Sequence, residues 1–222
     1  MRILAISDEV LSTLYNPQVY SLIGSVDVVV SCGDLSYSYM EYVVTHTNVR
    51  HAYFVHGNHD SPEHLCSGQI LEEPGGWCNI DRRAVYAKEI KLIIAGLEGS
   101  ICYRPGARYQ YSEREMRWRA RRLIPRLLFN RVFYGRYLDV LVAHSPARWI
   151  HDGPDAPHRG FDVFLALMQR FRPRLFLHGH SHHYGIKRWH THYEDTEVIN
   201  IHPFRLIKLE GDGISYGSFC YR

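Results

Sequence analysis

Seven short apolar runs set the fold class. Residues 3–7, 26–31, 52–56, 90–95, 140–143, 175–178 and 198–201 are rich in Val, Ile and Leu and do not alternate with polar residues. A run of this kind has no polar face to offer water, so it predicts a strand covered on both sides. Helical patterns lie between several of them, at 18–24, 39–45 and 161–171, the last with Phe161, Phe164, Leu165 and Met168 on one stripe. Strand, loop, helix, strand is the α/β order. From Val198 onward the pattern is strand after strand with Gly211-Asp212-Gly213 as a hairpin turn, so the sheets are expected to finish antiparallel. No internal repeat, low-complexity tract or Ser/Gly linker interrupts the 222 residues, which predicts a single domain spanning 1–222.

The charged residues narrow the reading further. Only four lysines occur, at 88, 91, 187 and 208, against 22 arginines, and there are 15 histidines. Arginine is the planar fork that suits phosphate oxygens, and imidazole is the commonest metal ligand. Ten arginines fall between Arg104 and Arg136 with only Glu113 and Glu115 among them, a net +8 that leaves −5 for the rest of a chain of overall +3. Within this basic insertion, Ser112-Glu113-Arg114-Glu115 has capping-box spacing, Met116, Ala120 and Leu123 share a face, and Pro125 is expected to end or kink the helix. Two readings stay open: a solvated helix face, or a basic cap over an anionic substrate through Arg117 and Arg121.

No apolar run approaches the roughly 18 residues of a membrane span. The N-terminal run meets Asp8 too soon for a secretory leader. The five cysteines are scattered without a CxxC, which points to a reducing compartment. A cytoplasmic protein is therefore expected.

Polar residues of one chemical kind recur where the strands end. They are Asp8, Gly33-Asp34, Gly57-Asn58-His59-Asp60, His144-Ser145-Pro146 and Gly179-His180-Ser181-His182. Chemistry in α/β folds collects beyond the carboxyl ends of strands. Carboxylate, amide oxygen and imidazole together suit Mn²⁺, Fe or Zn²⁺ in a hydrolytic site. In extended chain His180 and His182 point the same way, so both can face a metal pair.

These motifs, in this order and approximate spacing, resemble the calcineurin-like metallophosphoesterases, the likeness running from the first strand to about Asn200. Within that superfamily the chain is most similar to small bacterial members. The resemblance implies a four-layer α/β/β/α sandwich of two mixed sheets, with two divalent ions at the strand carboxyl ends. It implies that Asp34 bridges the ions, that Asn58, His144 and His180 complete one site, and that Asp8 and His182 hold the other. His59 is implied as the catalytic residue that protonates the leaving oxygen. One ligand departs from the pattern: the usual Asp-x-His reads Asp8-Glu9-Val10, so one site loses an imidazole and is expected to bind more weakly. Water or Glu9 can fill that gap; His158 either reaches substrate or the depleted site, or is a loop histidine near a turn. His56, His178 and His183 flank the motifs as supporting or packed residues.

The function these residues imply is metal-dependent phosphoester hydrolysis, with in-line attack by a metal-bound hydroxide, Mn²⁺ foremost and Fe or Zn²⁺ behind it. A phosphodiesterase acting on a phosphorylated small molecule or nucleotide is the expected form. Two alternatives are a non-catalytic scaffold of the same fold that binds proteins, and a nuclease directed at nucleic acid through the arginine segment.

Overall fold

The computed structural model describes residues 1–181, 189–210 and 213–217. β1 (Arg2–Ile6) reaches β2 (Val28–Ser31) through α1 (Pro17–Ile23), and α2 (Tyr37–Thr47) leads on to β3 (Ala52–Phe54). A short β4 (Cys78–Asn79) follows, then β5 (Ala84–Ala87) and β6 (Leu92–Leu97). α3 (Glu113–Arg121) and α4 (Ile124–Tyr134) precede β7 (Val140–Ala143), and α5 (Asp162–Phe171) precedes β8 (Leu175–His178). The chain finishes through β9 (His190–Tyr193), β10 (Thr196–Asn200), β11 (Phe204–Glu210) and β12 (Gly213–Gly217). Two small ribbons pair Glu63–His64 with Ile70–Leu71 and Ser100–Ile101 with Gln110–Tyr111.

Two six-stranded sheets result, ordered β12-β11-β1-β2-β3-β4 and β9-β10-β8-β7-β6-β5. Their centres are parallel, and β1–β11–β12, β5–β6 and β9–β10 are antiparallel, so both sheets are mixed. Period-two geometry explains why the runs lack alternation. Ile3 and Ala5 of β1 face the second sheet while Leu4 and Ile6 face α1 and α2. Val140 and Val142 of β7 turn to the same inter-sheet layer, and Leu141 turns to α3, α4 and α5. Three cores separated by two sheets make the four layers.

Expected and observed elements agree at 140–143 and 175–178 and differ by a few residues elsewhere. The antiparallel finish is present, with Glu210 opposite Gly213; Gly211 and Asp212 lie outside the described residues. Ser112 accepts from the Glu115 N–H at 3.3 Å while Glu115 accepts from the Ser112 N–H at 2.7 Å, completing the capping box. Pro125 has a different effect from the one its type suggests. α3 does end before it, but Pro125 lies in the first turn of α4, where a missing N–H leaves no helical bond unmade. Among the described residues no helix is long and apolar enough to cross a membrane.

The helix layer is pinned to the second sheet by a buried charge. Arg119 of α3 reaches Asp81 at 2.6 Å and Glu98 at 2.5 Å, and its guanidinium lies 3.9 Å from the Tyr111 ring. Glu98 also accepts from the Tyr111 hydroxyl at 2.6 Å and faces His56 Nδ1 at 3.0 Å. Removing the cation takes away the one group that joins both buried carboxylates, leaving Asp81 to Arg82 and Glu98 to Tyr111 and His56. Arg119→Met should therefore lower unfolding free energy by about 3–5 kcal/mol. Arg117→Met, which loses only an exposed pair with Glu113, should cost less than about 1 kcal/mol. Urea titration of the two variants checks this, and equal midpoints would contradict it.

Candidate metal centre

Asp8, Asp34 and Asn58 follow β1, β2 and β3 of one sheet, whereas His144 and His180 follow β7 and β8 of the other. The site therefore sits on the seam between sheets. Asp8, Asp34 and His180 hold φ of 67°, 57° and 64°, the left-handed region that non-glycine residues enter only when their surroundings enforce it. Asp60 supplies part of that enforcement. Its carboxylate accepts from the N–H groups of Gly57 at 2.8 Å, Leu35 at 3.1 Å and Asp34 at 3.2 Å, which locks the loop after β2 to the loop after β3.

Four electron-pair donors converge there. His144 Nε2 lies 3.0 Å from Asn58 Oδ1, 3.1 Å from His180 Nδ1 and 3.4 Å from Asp34 Oδ2. The other ring nitrogens decide the tautomers. His144 Nδ1 faces the Cys32 carbonyl at 2.8 Å and His180 Nε2 faces the Pro157 carbonyl at 2.7 Å. A carbonyl only accepts, so both of those nitrogens carry N–H and the neutral rings turn lone pairs inward. Asn58 donates Nδ2 to the Tyr103 hydroxyl at 3.1 Å, which leaves its Oδ1 inward as well. Lone pairs so close repel unless a cation or a proton lies among them.

In the metal-free chain the cost of that arrangement appears as displaced pKa values. Burial alone would discharge His144, but the Asp34 carboxylate, with help from Asp8 and the Cys32 carbonyl, raises it to about 9. Burial resists charge on Asp34 too, yet His144 and the His59 N–H bring it down to about 2. Burial and the positive His144 together push His180 down to about 3. One positive charge is thus held where one carboxylate, two imidazoles and an amide oxygen meet. This donor set fits a divalent transition ion. Two glycines give the carboxylates room: a Cβ on Gly57 would lie 2.0 Å from Asp34 Oδ1, and one on Gly179 would lie 2.5 Å from Asp8 Oδ2.

The remaining expected residues divide into groups. Asp8 adjoins the cluster, its two oxygens accepting from the His180 N–H at 2.9 and 3.1 Å, and burial followed by the Asp34 charge holds its pKa up against His144. His182 and His183 lie outside the described residues. Val10 is 47% exposed, and Glu9 faces His202 at 3.8 Å. His59 is exposed and anchored by its N–H to Asp34 Oδ1 at 2.8 Å. His158 pairs with Asp155 at 2.7 Å, and its ring centroid lies 5.4 Å from that of His180. Arg117 and Arg121 are not brought to the cluster: they line a groove between α3 and α5 with Ala166 and Arg170. His56 and His178 are buried supports, bonded to Glu98 and to His151. Sequence reasoning missed Tyr103 and the Cys32 and Pro157 carbonyls, none of which carries a motif.

Comparison with known proteins follows the same lines. The family model described as calcineurin-like phosphoesterase matches residues 1–184. The structure of TT1561 from Thermus thermophilus superposes with a TM-score of 0.62 at 16% identity, covering 97% of each chain. GAP50, named the anchor in the inner membrane complex of Plasmodium, superposes with a TM-score of 0.55 at 12% identity, covering 97% of this chain and 83% of that one. At such identities these likenesses concern the fold alone. No curated protein sequence matches the chain. With the family match reaching over most of its length and the donor set gathered at the strand ends, the chain belongs to the calcineurin-like phosphoesterases, hydrolases of phosphoric ester bonds.

Proposed function

We propose that the protein is a phosphodiesterase whose leaving arm is uncharged, as in a nucleotide or other small phosphodiester. The observation that carries this reading is the cavity beside His59. It has a volume of about 360 Å³, opens between Asp34 and His59, and continues past Ser36, Tyr37 and Ser61. No Lys or Arg is among its described lining residues, whereas Asp60 and Glu63 are. Burial, then the charge of Asp34, lifts Asp60 to about 6, so at neutral pH it is still mostly ionised. Glu63 spends its carboxylate on the Ser38 N–H and hydroxyl at 2.9 and 2.7 Å. A second phosphate entering this space meets negative charge and no counter-charge. An alcohol or nucleoside arm meets hydroxyls and a tyrosine ring.

Asp34, Asn58, His144 and His180 hold one divalent ion in this reading, and Asp8 with Asp34 and His182 hold the other, Mn²⁺ being the foremost candidate. Bound there, the ions supply Lewis-acid charge and an acidified water. The side chains do the rest. His59, its backbone tied to Asp34 and its ring in solvent at the cavity mouth, gives a proton to the leaving oxygen. Tyr103 keeps the Asn58 oxygen turned inward, and the Cys32 and Pro157 carbonyls keep the imidazoles in the binding tautomer. His158, beside His180, faces the substrate.

With Mn²⁺ added, kcat/KM for bis-nitrophenyl phosphate should exceed that for the nitrophenyl monoester and for pyrophosphate by about tenfold or more. EDTA should abolish all three activities, and a preference for pyrophosphate would overturn the reading. His59→Asn should lower kcat about 10²-fold for an alkyl leaving group, and less for nitrophenolate, with metal content unchanged. Equal losses on both would argue against proton donation. Because Val10 supplies no imidazole, protein dialysed against a mild chelator should retain about one ion, and Val10→His should raise retention towards two. Mass-spectrometric metal analysis checks it, and two ions held by the unaltered chain would reveal a ligand beyond those named.

A further inference from the structure

α4 is apolar on both sides. Its inward side buries Leu127 and Asn130 against the second sheet's helix layer. Its outward side should be polar in a helix that ends at water, and it is not. Val132 is 79% exposed, Phe133 65%, Leu128 46% and Phe129 40%, with Trp118 of α3 at 54%. At about 100° per residue the four α4 side chains fill an outward arc of about 140°. On the same count Arg131 borders one edge of that arc and Arg126 the other.

The charge around this arc has one sign. α4 contains no acidic residue, and α3 places its two acids in its first turn. Arg117 and Arg136 pair with Glu113 and Asp139, and Arg119 is buried. Among the described residues Arg121, Arg122, Arg126 and Arg131 form no ion pair with an acid. Arg122 instead lies 4.4 Å from the Trp118 ring and Arg126 4.8 Å from the Phe129 ring. Arg131 donates to the Gly135 carbonyl at the end of its own helix, its charge still unopposed by an acid among the described residues. An apolar stripe with aromatic residues, edged by arginines, is the pattern of a helix lying in a lipid interface.

We propose that the outward face of α4, with Trp118, docks on an anionic lipid bilayer. Charge complementarity selects that occupant over a second copy of the chain. A two-fold contact would set this arginine cluster against its own copy with no acid on α4 to neutralise it. Nucleic acid would engage the arginines but give nothing to Val132 and Leu128, the aliphatic members of the stripe. The docking is peripheral: the apolar side chains enter the headgroup boundary and the arginines meet lipid phosphates.

Co-sedimentation of the full chain with vesicles tests this. Vesicles of phosphatidylcholine with about 30% phosphatidylglycerol should bind it, and pure phosphatidylcholine should bind it at least about tenfold less. Raising salt from roughly 50 to 500 mM should weaken binding without abolishing it, since the apolar part is not screened. Val132→Asp with Phe133→Asp should cut binding tenfold or more, while thermal unfolding and hydrolysis of a soluble diester stay unchanged. Arg122→Gln with Arg126→Gln should remove most of the preference for anionic lipid and serves should the first variant fold poorly. Failure to bind anionic vesicles at low salt overturns the proposal. So does binding that the Asp variant retains, or a solution dimer that the Asp variant dissociates. Selective binding to an oligonucleotide in place of vesicles would overturn it too.

Discussion

Four electron-pair donors held within a few ångströms of His144 Nε2 are the demand that the rest of the structure meets. An imidazole, a second imidazole, an amide and a carboxylate already lie within hydrogen-bond reach of one another, so which atom of each points inward decides whether the cluster can hold an ion. Three tethers make that choice: the Cys32 carbonyl on His144, the Pro157 carbonyl on His180 and the Tyr103 hydroxyl on Asn58. Two of the groups that must meet, His144 and Cys32, belong to different sheets. The separation of the sheets is therefore part of the site, and it is set by the apolar layer of Ala5, Val30, Val142 and Leu177 between them. Core packing is dense enough to transmit sub-ångström changes, so a residue in that layer acts on the metal centre without touching it.

The arginine segment serves several ends because a helix turns. Arg117 and Arg119 are two residues apart, hence about 200° apart around α3. One lies in an exposed pair with Glu113, and the other is buried between Asp81 and Glu98. Glu113 does a second task. Its carboxylate accepts from the N–H groups of Asp162 and Val163 at 3.1 and 3.0 Å, capping α5, whose own N-cap residue Phe161 has no side-chain acceptor. The loop that delivers Pro157 to His180 runs directly into that capped end. A segment that looked like an addition to the fold thus braces one of the tethers of the metal centre.

What was legible in the sequence follows from the same physics. Strands covered on both faces must be apolar throughout, so β7 and β8 could be read residue for residue. Groups able to bind a metal must be polar, and in this fold they sit where such strands stop, so the candidates Asp8, Asp34, Asn58, His144 and His180 stood out against the runs before them. The tethers did not stand out. A backbone carbonyl leaves no mark in sequence, and Tyr103 meets Asn58 across 45 positions. Pro125 misled because its residue type marks both the end of one helix and the start of the next. Two readings of Arg117 and Arg121 stayed open because net charge says how many arginines a segment holds and nothing of where a helix points them.

The same count of charge bears on how the two ends of the molecule work together. The segment from Arg104 to Arg136 carries +8 and the remainder −5. Three of the remainder's acids, Asp34, Asp60 and Glu63, line the cavity beside His59, with no lysine or arginine among its described lining residues. An anionic surface would attract the α3–α4 face, where Arg121, Arg122 and Arg126 form no ion pair with an acid among the described residues. The acids of the cavity lining repel lipid phosphate instead. That repulsion and the neutral leaving arm proposed from the cavity lining together favour a small, water-borne diester over a phospholipid headgroup.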